Sequence, residues 1–383
     1  MRRPPLKPRG NADPDHWMYL SFGLFLLVCI VMILLIRNDA LEFSQLDMRD
    51  RTVPAAPAEP PAAVDIPVRL GAYIENVYNF SPDDKSFGAS GVVWLQWTEP
   101  VETQLKNQGI PLEKWIDFVN LIEGWDFKLE PIHEQPLRNT DGSSLQSFRF
   151  DGHFYANDLD FHEFPFQQIT LPLVFELNND NPQNSPPSLF LSPDLQNSGV
   201  GAYIGILGYK TMAFDIRAYQ HQYATNFGLE GRAPKQARQL AFEVTYRQSV
   251  NAALLALFLP LIVVMALVLF SPLLSAALWD VRLGIPPTAL LALIFLQQGY
   301  KAELPELPYA TYLDMAYNIC FVINLILFGL FLWGSNQLHH ATEKGRAATI
   351  ARVNRLDAQF QVGLTLLLII VLAVDWYIVD TLH

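Results

Sequence analysis

Between Arg247 and Gly334 three apolar segments follow one another with very short connections, and this stretch limits what the rest of the chain can be. The first, Val250 to Phe270, is long enough to cross a bilayer at about 1.5 Å per residue. The second offers only about twelve mostly apolar residues, Ile285 to Leu296, before Gln297, Gln298 and Gly299; by hydropathy alone it reads as a buried or re-entrant segment, and within a bundle as a helix. As a helix it aligns Gly284, Thr288, Leu291, Phe295 and Gln298 at spacings of three and four, a mostly small, polar or gate-like stripe suited to line water. Leu291 and Phe295, one turn apart, would form apolar constrictions if repeated around an axis; ordinary bundle packing is the alternative. Asp280 and Arg282 stand at one mouth and Lys301, Glu303 and Glu306 at the other, as expected of a helix screened from lipid. Pro286 and Pro287 fit a first helical turn, which predicts a helix from Pro286 to Tyr300, about 22 Å long, and a non-helical inner mouth from Trp279 to Ile285. Tyr317 to Trp333 is a third span. A single chain could not easily satisfy Asp280, Gln297 and Gln298 in lipid, whereas a ring of identical subunits would turn them toward a shared aqueous axis, so a homo-oligomer is expected.

The 383 residues carry a formal net charge of −12, with 51% hydrophobic and 17% charged residues, which describes a membrane-embedded part plus one sizeable soluble domain and argues against a nucleic-acid partner. Basic residues gather at Arg2, Arg3, Lys7 and Arg9 and again at Lys344, Arg346, Arg352 and Arg355, beside apolar spans, which marks those segments as cytoplasmic. Residues 1–16 read as a cytoplasmic tail, 17–36 as an N-terminal transmembrane helix, 37–66 as a Pro/Ala-rich linker, 67–248 as a periplasmic domain, and 249–380 as a four-helix transmembrane domain with a cytoplasmic loop at 335–359. A cleaved signal peptide is the alternative for 17–36, but its apolar core would be shorter, and Arg37-Asn38-Asp39 follows where a small-residue cleavage site should stand. Five spans with a cytoplasmic N-terminus place the C-terminus outside, on the side of the 67–248 domain, which is periplasmic or extracellular. The two cysteines, Cys29 and Cys320, both fall in spans, so the soluble domain has no disulfide.

Within that domain Val68 to Val77, Gly88 to Trp97, Leu145 to Tyr155, Gln168 to Leu177, Ala213 to Ala224 and Gln239 to Gln248 read as strands, several alternating apolar and polar residues. Turn clusters such as Asn139-Thr140-Asp141-Gly142 separate them, and one helix is expected around Leu112 to Leu121. The fold class is therefore a membrane protein with an extracytoplasmic antiparallel β-sandwich plus an α-helical transmembrane bundle. The chain lacks a Gly-rich phosphate loop, a Gly-x-Ser-x-Gly elbow, a His-Glu-x-x-His motif and Cys-based zinc spacing, so neither an enzyme nor a cofactor is expected. His162-Glu163 with Asp158 and Asp160 offers an acidic metal or proton site or, more plainly, a solvated loop.

Arg247 before a span containing Leu259-Pro260, Arg282-Leu283-Gly284 opening the next, and Leu304-Pro305-Glu306-Leu307-Pro308-Tyr309 between spans resemble the transmembrane core of the pentameric ligand-gated ion channels, the Cys-loop receptor superfamily. Phe164-Pro165-Phe166-Gln167-Gln168 is similar to that family's Phe-Pro-Phe-Asp-x-Gln loop, and Trp97-Thr98-Glu99-Pro100 to its Trp-x-Asp-Pro turn. The resemblance covers roughly Ile66 to Asp380, and the missing cysteines match the bacterial type, which implies a bacterial inner membrane with the soluble domain and the C-terminus in the periplasm.

It implies a pentamer in a lipid bilayer that conducts ions in response to a periplasmic small-molecule ligand or protons; cations are expected because Asp280 at the inner mouth and the acidic net charge would concentrate them, with Arg282 nearby weighing against. Its pore-lining residues would be Asp280, Gly284, Thr288, Leu291, Phe295 and Gln298. Its coupling residues would be Phe164, Pro165, Phe166, Gln167, Arg247, Leu304, Pro305 and Tyr309. The family's capping hairpin would be Asn226 to Arg238, with Tyr219, Tyr223 and Phe227 caging a cation and Tyr203 or Tyr209 joining from the preceding loop. Two departures qualify this. Gln167 replaces the family's Asp and cannot form an ion pair with Arg247, and Pro286-Pro287 interrupt the second span. Together with the extra N-terminal span they keep open an alternative, a non-conducting receptor or scaffold that binds a membrane partner.

Overall fold

A computed structural model describes residues 66–382 other than 109–110, 123, 157–158, 179–188, 224, 226–227, 229–235 and 303. The expected N-terminal helix at 17–36, most of the linker, Asp158, Glu303 and Phe227 therefore lie outside the described residues. Those described form two compact units, one of residues 66–160 and 168–249, the other of 161–167 and 250–382.

The first unit is built from strands β1 (Ile66–Ser81), β2 (Ser86–Trp97), β3 (Ile116–Phe118), β4 (Leu121–Ile122), β5 (Lys128–Pro131), β6 (Leu137–Arg138), β7 (Ser144–Tyr155), β8 (Gln168–Leu177), β9 (Leu189–Pro193), β10 (Gly199–Tyr203), β11 (Tyr209–Gln222) and β12 (Gln236–Gln248), with helix α1 (Glu99–Gln108) after β2. One sheet runs β10-β1-β2-β7-β4, with β9 on β1 and β5 and β6 on β7; the other runs β11-β12-β8-β3. Strict alternation makes these strands: every second residue of β7 from Ser144 to Phe154 is buried, so one face packs while the other stays wet. The inward residues include Phe87, Phe148, Phe150 and Phe154 from one sheet and Phe175, Phe214 and Phe242 from the other, in a single core. The architecture is sandwich-like.

Two sequence expectations need correction here. The eight-stranded sheet is mixed rather than antiparallel, because β9 and β10 pair parallel to successive halves of β1, at Ile66–Leu70 and Tyr73–Asn76, while the four-stranded sheet is antiparallel throughout. Those strands are five residues each, and β10 is glycine-rich, so they carry little periodicity. The helix lies at Glu99–Gln108 instead of Leu112 to Leu121, with Glu99 and Glu102 in its first turn where the helix dipole favours negative charge. Ile116 and Phe118 alternate inward around exposed Asp117 and pair with β8, which makes 116–118 a strand.

The second unit holds four helices long and apolar enough to cross a membrane: α2 (Val250–Leu273), α3 (Ala276–Lys301, regular from Trp279), α4 (Tyr312–His339) and α5 (Arg346–Leu382). A π turn at Leu254–Phe258 widens α2 just before Pro260, which stands in the first turn of the segment that follows. Helix α3 does not begin at Pro286. It runs unbroken from Trp279 to Lys301, 23 residues or about 34 Å, enough to cross a ~30 Å hydrocarbon core. The prolines withhold the donors that would serve the Arg282 and Leu283 carbonyls, and the turn they form is tied to its neighbour, since the Asn324 side-chain amide on α4 donates to the Pro286 carbonyl at 2.8 Å.

Candidate functional site

Helix α3 buries Arg282, Pro286, Ala289, Leu293 and Tyr300, residues spaced so that they share one stripe against its neighbours. Asp280, Gly284, Thr288, Leu291, Phe295 and Gln298 are all exposed, and at ~100° per residue their mean direction is opposite the buried stripe. Leu291 is 55% exposed and Phe295 68%. Thr288 satisfies its hydroxyl within the helix, donating to the Gly284 carbonyl at 2.9 Å. The face is thus open along its whole length and carries polar residues at Asp280, Thr288 and Gln298 on a segment otherwise suited to lipid. Beside it, Leu259, Pro260, Val263 and Val264 of α2 and Ala292, Phe295 and Leu296 of α3 line an open apolar groove of about 600 Å³.

Arg282 and Asp280 diverge. Arg282 is 3% exposed and its guanidinium donates to Asp357 of α5, itself fully buried. The same guanidinium lies 4.3 Å from the ring centroid of Phe331 on α4. A cation and an anion taken out of water together are tolerable only because they pair. The turn before α3 is tied to the same helix, since the Ala276 N–H donates to Asn354 Oδ1 at 2.9 Å. Sequence reading missed Asp357 and Asn324. Both are polar residues on helices otherwise suited to the bilayer, and that oddity was the available signal.

The segment 161–167 packs within the helical unit. The Phe161 N–H donates to the Tyr309 hydroxyl at 3.1 Å, the Tyr312 N–H to the His162 carbonyl at 2.8 Å, and the Leu313 N–H to the Phe164 carbonyl at 3.2 Å. The His162 ring stacks on Tyr309 at 3.7 Å and 9°. Phe164 lies 6.1 Å from Tyr300 at the end of α3, while Phe166 meets Phe258 of α2 and Trp376 of α5 at 5.7 and 5.4 Å. Pro165 and Gln167 are buried, and Leu304 and Pro305 are half-buried. The linker they belong to is pinned at its far end, where Asp314 accepts from Tyr300 at 2.6 Å and from Lys301 at 3.0 Å and closes a capping box with Thr311. Phe164, Phe166 and Tyr309 are therefore brought together. Arg247 lies on β12 in the other unit, opposite Lys210 on one side and Gln168 on the other. Among the described residues no group of three His, Cys, Asp or Glu could hold a metal, and the stacked His162 gives that segment a packing role.

On the outward face of the four-stranded sheet, Tyr219 donates to Glu243 at 2.6 Å and Tyr223 to Glu176 at 2.7 Å. Arg217 bonds Glu243 at 3.3 Å, and Gln239 bonds Glu176 at 3.0 Å. Burial and the neighbouring carboxylate push both phenols up to about 12. The hydroxyls of the two proposed cage tyrosines are thus committed to carboxylates, while Tyr203 is exposed and Tyr209 packs edge-on against Phe80. Because the folded-state values lie above the ordinary 10.0, this pair stabilises the fold fully below pH 10 and progressively less as pH rises toward about 12. A near-ultraviolet titration should show their phenolates forming only near pH 12, and Tyr219→Phe should remove one phenol from that late step. Ordinary titration of both would mean that the hydrogen bonds are absent.

Comparison of the chain with protein-family models and with curated proteins finds no match.

Proposed function

We propose that the chain is one subunit of a homo-oligomeric ring, a pentamer on the resemblance stated above, that passes cations across a membrane in response to a periplasmic ligand or protons. One observation carries the proposal: the stripe Asp280, Gly284, Thr288, Leu291, Phe295 and Gln298 is exposed along all of α3 and lies opposite the stripe that α3 buries. A helix with Asp280 and Gln298 on its open side is costly against lipid and suited to a shared water-filled axis. Polarity follows from the divergence of the two charges at the inner end. Arg282 is turned inward and neutralised by Asp357, which leaves Asp280 as the charge on the open face. A ring of carboxylates there concentrates cations. The docking of 161–167 on the ends of α2, α3, α4 and α5 supports a route by which a change in the β-rich unit reaches the helices, since β7 and β8 lead into and out of that segment.

Purified protein in planar bilayers should pass cation-selective current, and Asp280→Asn should lower its conductance and shift its reversal potential toward anions. Anion selectivity in the unmutated protein overturns the polarity. The second reading, a non-conducting receptor or scaffold with a membrane partner, draws on Gln167, a buried neutral residue where the resembled family carries a carboxylate. Absence of flux under every ligand and pH tried, with a stoichiometric membrane partner co-purifying, decides for it.

A further inference from the structure

We propose that the loop at 204–208, between β10 and β11, is a membrane-interface anchor that sets Leu207 among lipid headgroups. Leu207 is 100% exposed and Tyr203, just before the loop, 77%. An isolated exposed leucine is ordinary, but this one is held at a defined place. The Ser249 N–H donates to the Gly208 carbonyl at 2.9 Å, and Val250, the next residue, begins α2. Gly208, next to Leu207, is thus bonded to the last residue of the β-rich unit, and a single peptide link of ~3.8 Å between Cα atoms separates that residue from the first of α2. The loop is also stiff. The fully buried Tyr246 donates to the Ile204 carbonyl at 2.7 Å, the Tyr209 N–H closes a turn onto the Ile206 carbonyl at 3.0 Å, and Gly208, at φ +85°, takes a backbone conformation that few other residues adopt. A rigid turn therefore presents its apolar tip, with the core behind it.

The surrounding chemistry fits a lipid surface. Tyr203 supplies an aromatic ring of the kind that favours the headgroup layer. Lys210 and Arg247 are cross-strand partners beyond the loop, two positive charges at the end of the sheet from which α2 departs, and these favour anionic headgroups. The anchor rests on α2 crossing a bilayer and not on conduction. It would fix the base of the β11–β12 hairpin.

Spin labelling tests this in the full chain, with Cys29→Ser and Cys320→Ala as background and vesicles of phosphatidylethanolamine and phosphatidylglycerol. Labels go at Leu207→Cys, at Leu267→Cys on the exposed side of α2 as a lipid reference, and at Thr140→Cys in the exposed turn before β7 as a water reference. The Leu207 label is expected to be several-fold more accessible to oxygen relative to a water-soluble nickel chelate than the Thr140 label, approaching the Leu267 value. A Leu207 label that matches Thr140 while Leu267 is lipid-like overturns the anchor and leaves the bilayer crossing intact. If Leu267 is also aqueous, the crossing fails and the anchor with it. A label shielded from both reagents would place Leu207 under protein, in contact with a second copy, and also overturns it.

Discussion

Leu291→Ser is expected to yield a protein that leaks cations at rest or opens at a lower stimulus, with resting flux raised on the order of tenfold. Leu291 is on the open side of α3, 55% exposed, one turn from Phe295. Rings of such side chains around an axis exclude water from a narrow passage without blocking it physically. A serine in each ring position supplies a hydroxyl that holds water, and tenfold requires only ~1.4 kcal/mol shared around the ring. The control is Leu290→Ser. Leu290 is half-buried on the flank of the same helix, so its loss removes packing and brings a hydroxyl among apolar neighbours, at about 1–3 kcal/mol and with no gain in flux. Single-channel recording and thermal melting of both variants separate the cases. If the two behave alike, with lower yield and no added conductance, the open stripe does not face a pore.

How much of this could be read from the sequence depends on the range of the interactions concerned. The stripe on α3 is a matter of local periodicity, and Gly284, Thr288, Leu291, Phe295 and Gln298 fall on one face whatever surrounds them. Alternation likewise made β2, β7 and β8 legible, whereas β9 and β10 exist only because the edge of β1 accepts them. Pro286-Pro287 misled because the rule that proline opens a helix weighs only bonds within the helix; here the Asn324 side chain, 38 residues away on α4, donates to the Pro286 carbonyl and ties that turn to its neighbour. Arg282 misled for the same reason. Its sequence neighbour Asp280 suggested a mixed-charge mouth, while its actual partner Asp357 is 75 residues distant. The packing of 161–167 on Tyr309 and Tyr312 was accessible through the resemblance of Phe164-Pro165-Phe166-Gln167-Gln168 and not through any periodicity.

Asp357→Asn is expected to be the most damaging single change outside the β-rich core. Asp357 is fully buried, and its loss leaves the Arg282 guanidinium, 3% exposed, with the Phe331 ring and without its anion. Removing one partner of a buried pair costs about 3–5 kcal/mol because the other charge stays behind uncompensated, and Arg282 Nε already has no hydrogen-bond partner to fall back on. The variant should lose yield and melt early in detergent. Replacing both residues, Arg282→Met with Asp357→Leu, removes the stranded charge, and such exchanges are often neutral or stabilising by about 1–4 kcal/mol; stability should return. Function then discriminates further. If Arg282 faces the bundle and Asp280 alone sets the field on the open side, the double variant keeps its cation selectivity. A permeability ratio that becomes more cation-selective would show that Arg282 reaches the ion path, and an Asp357→Asn protein as stable as the parent would show that the pair does not hold α3 against α5.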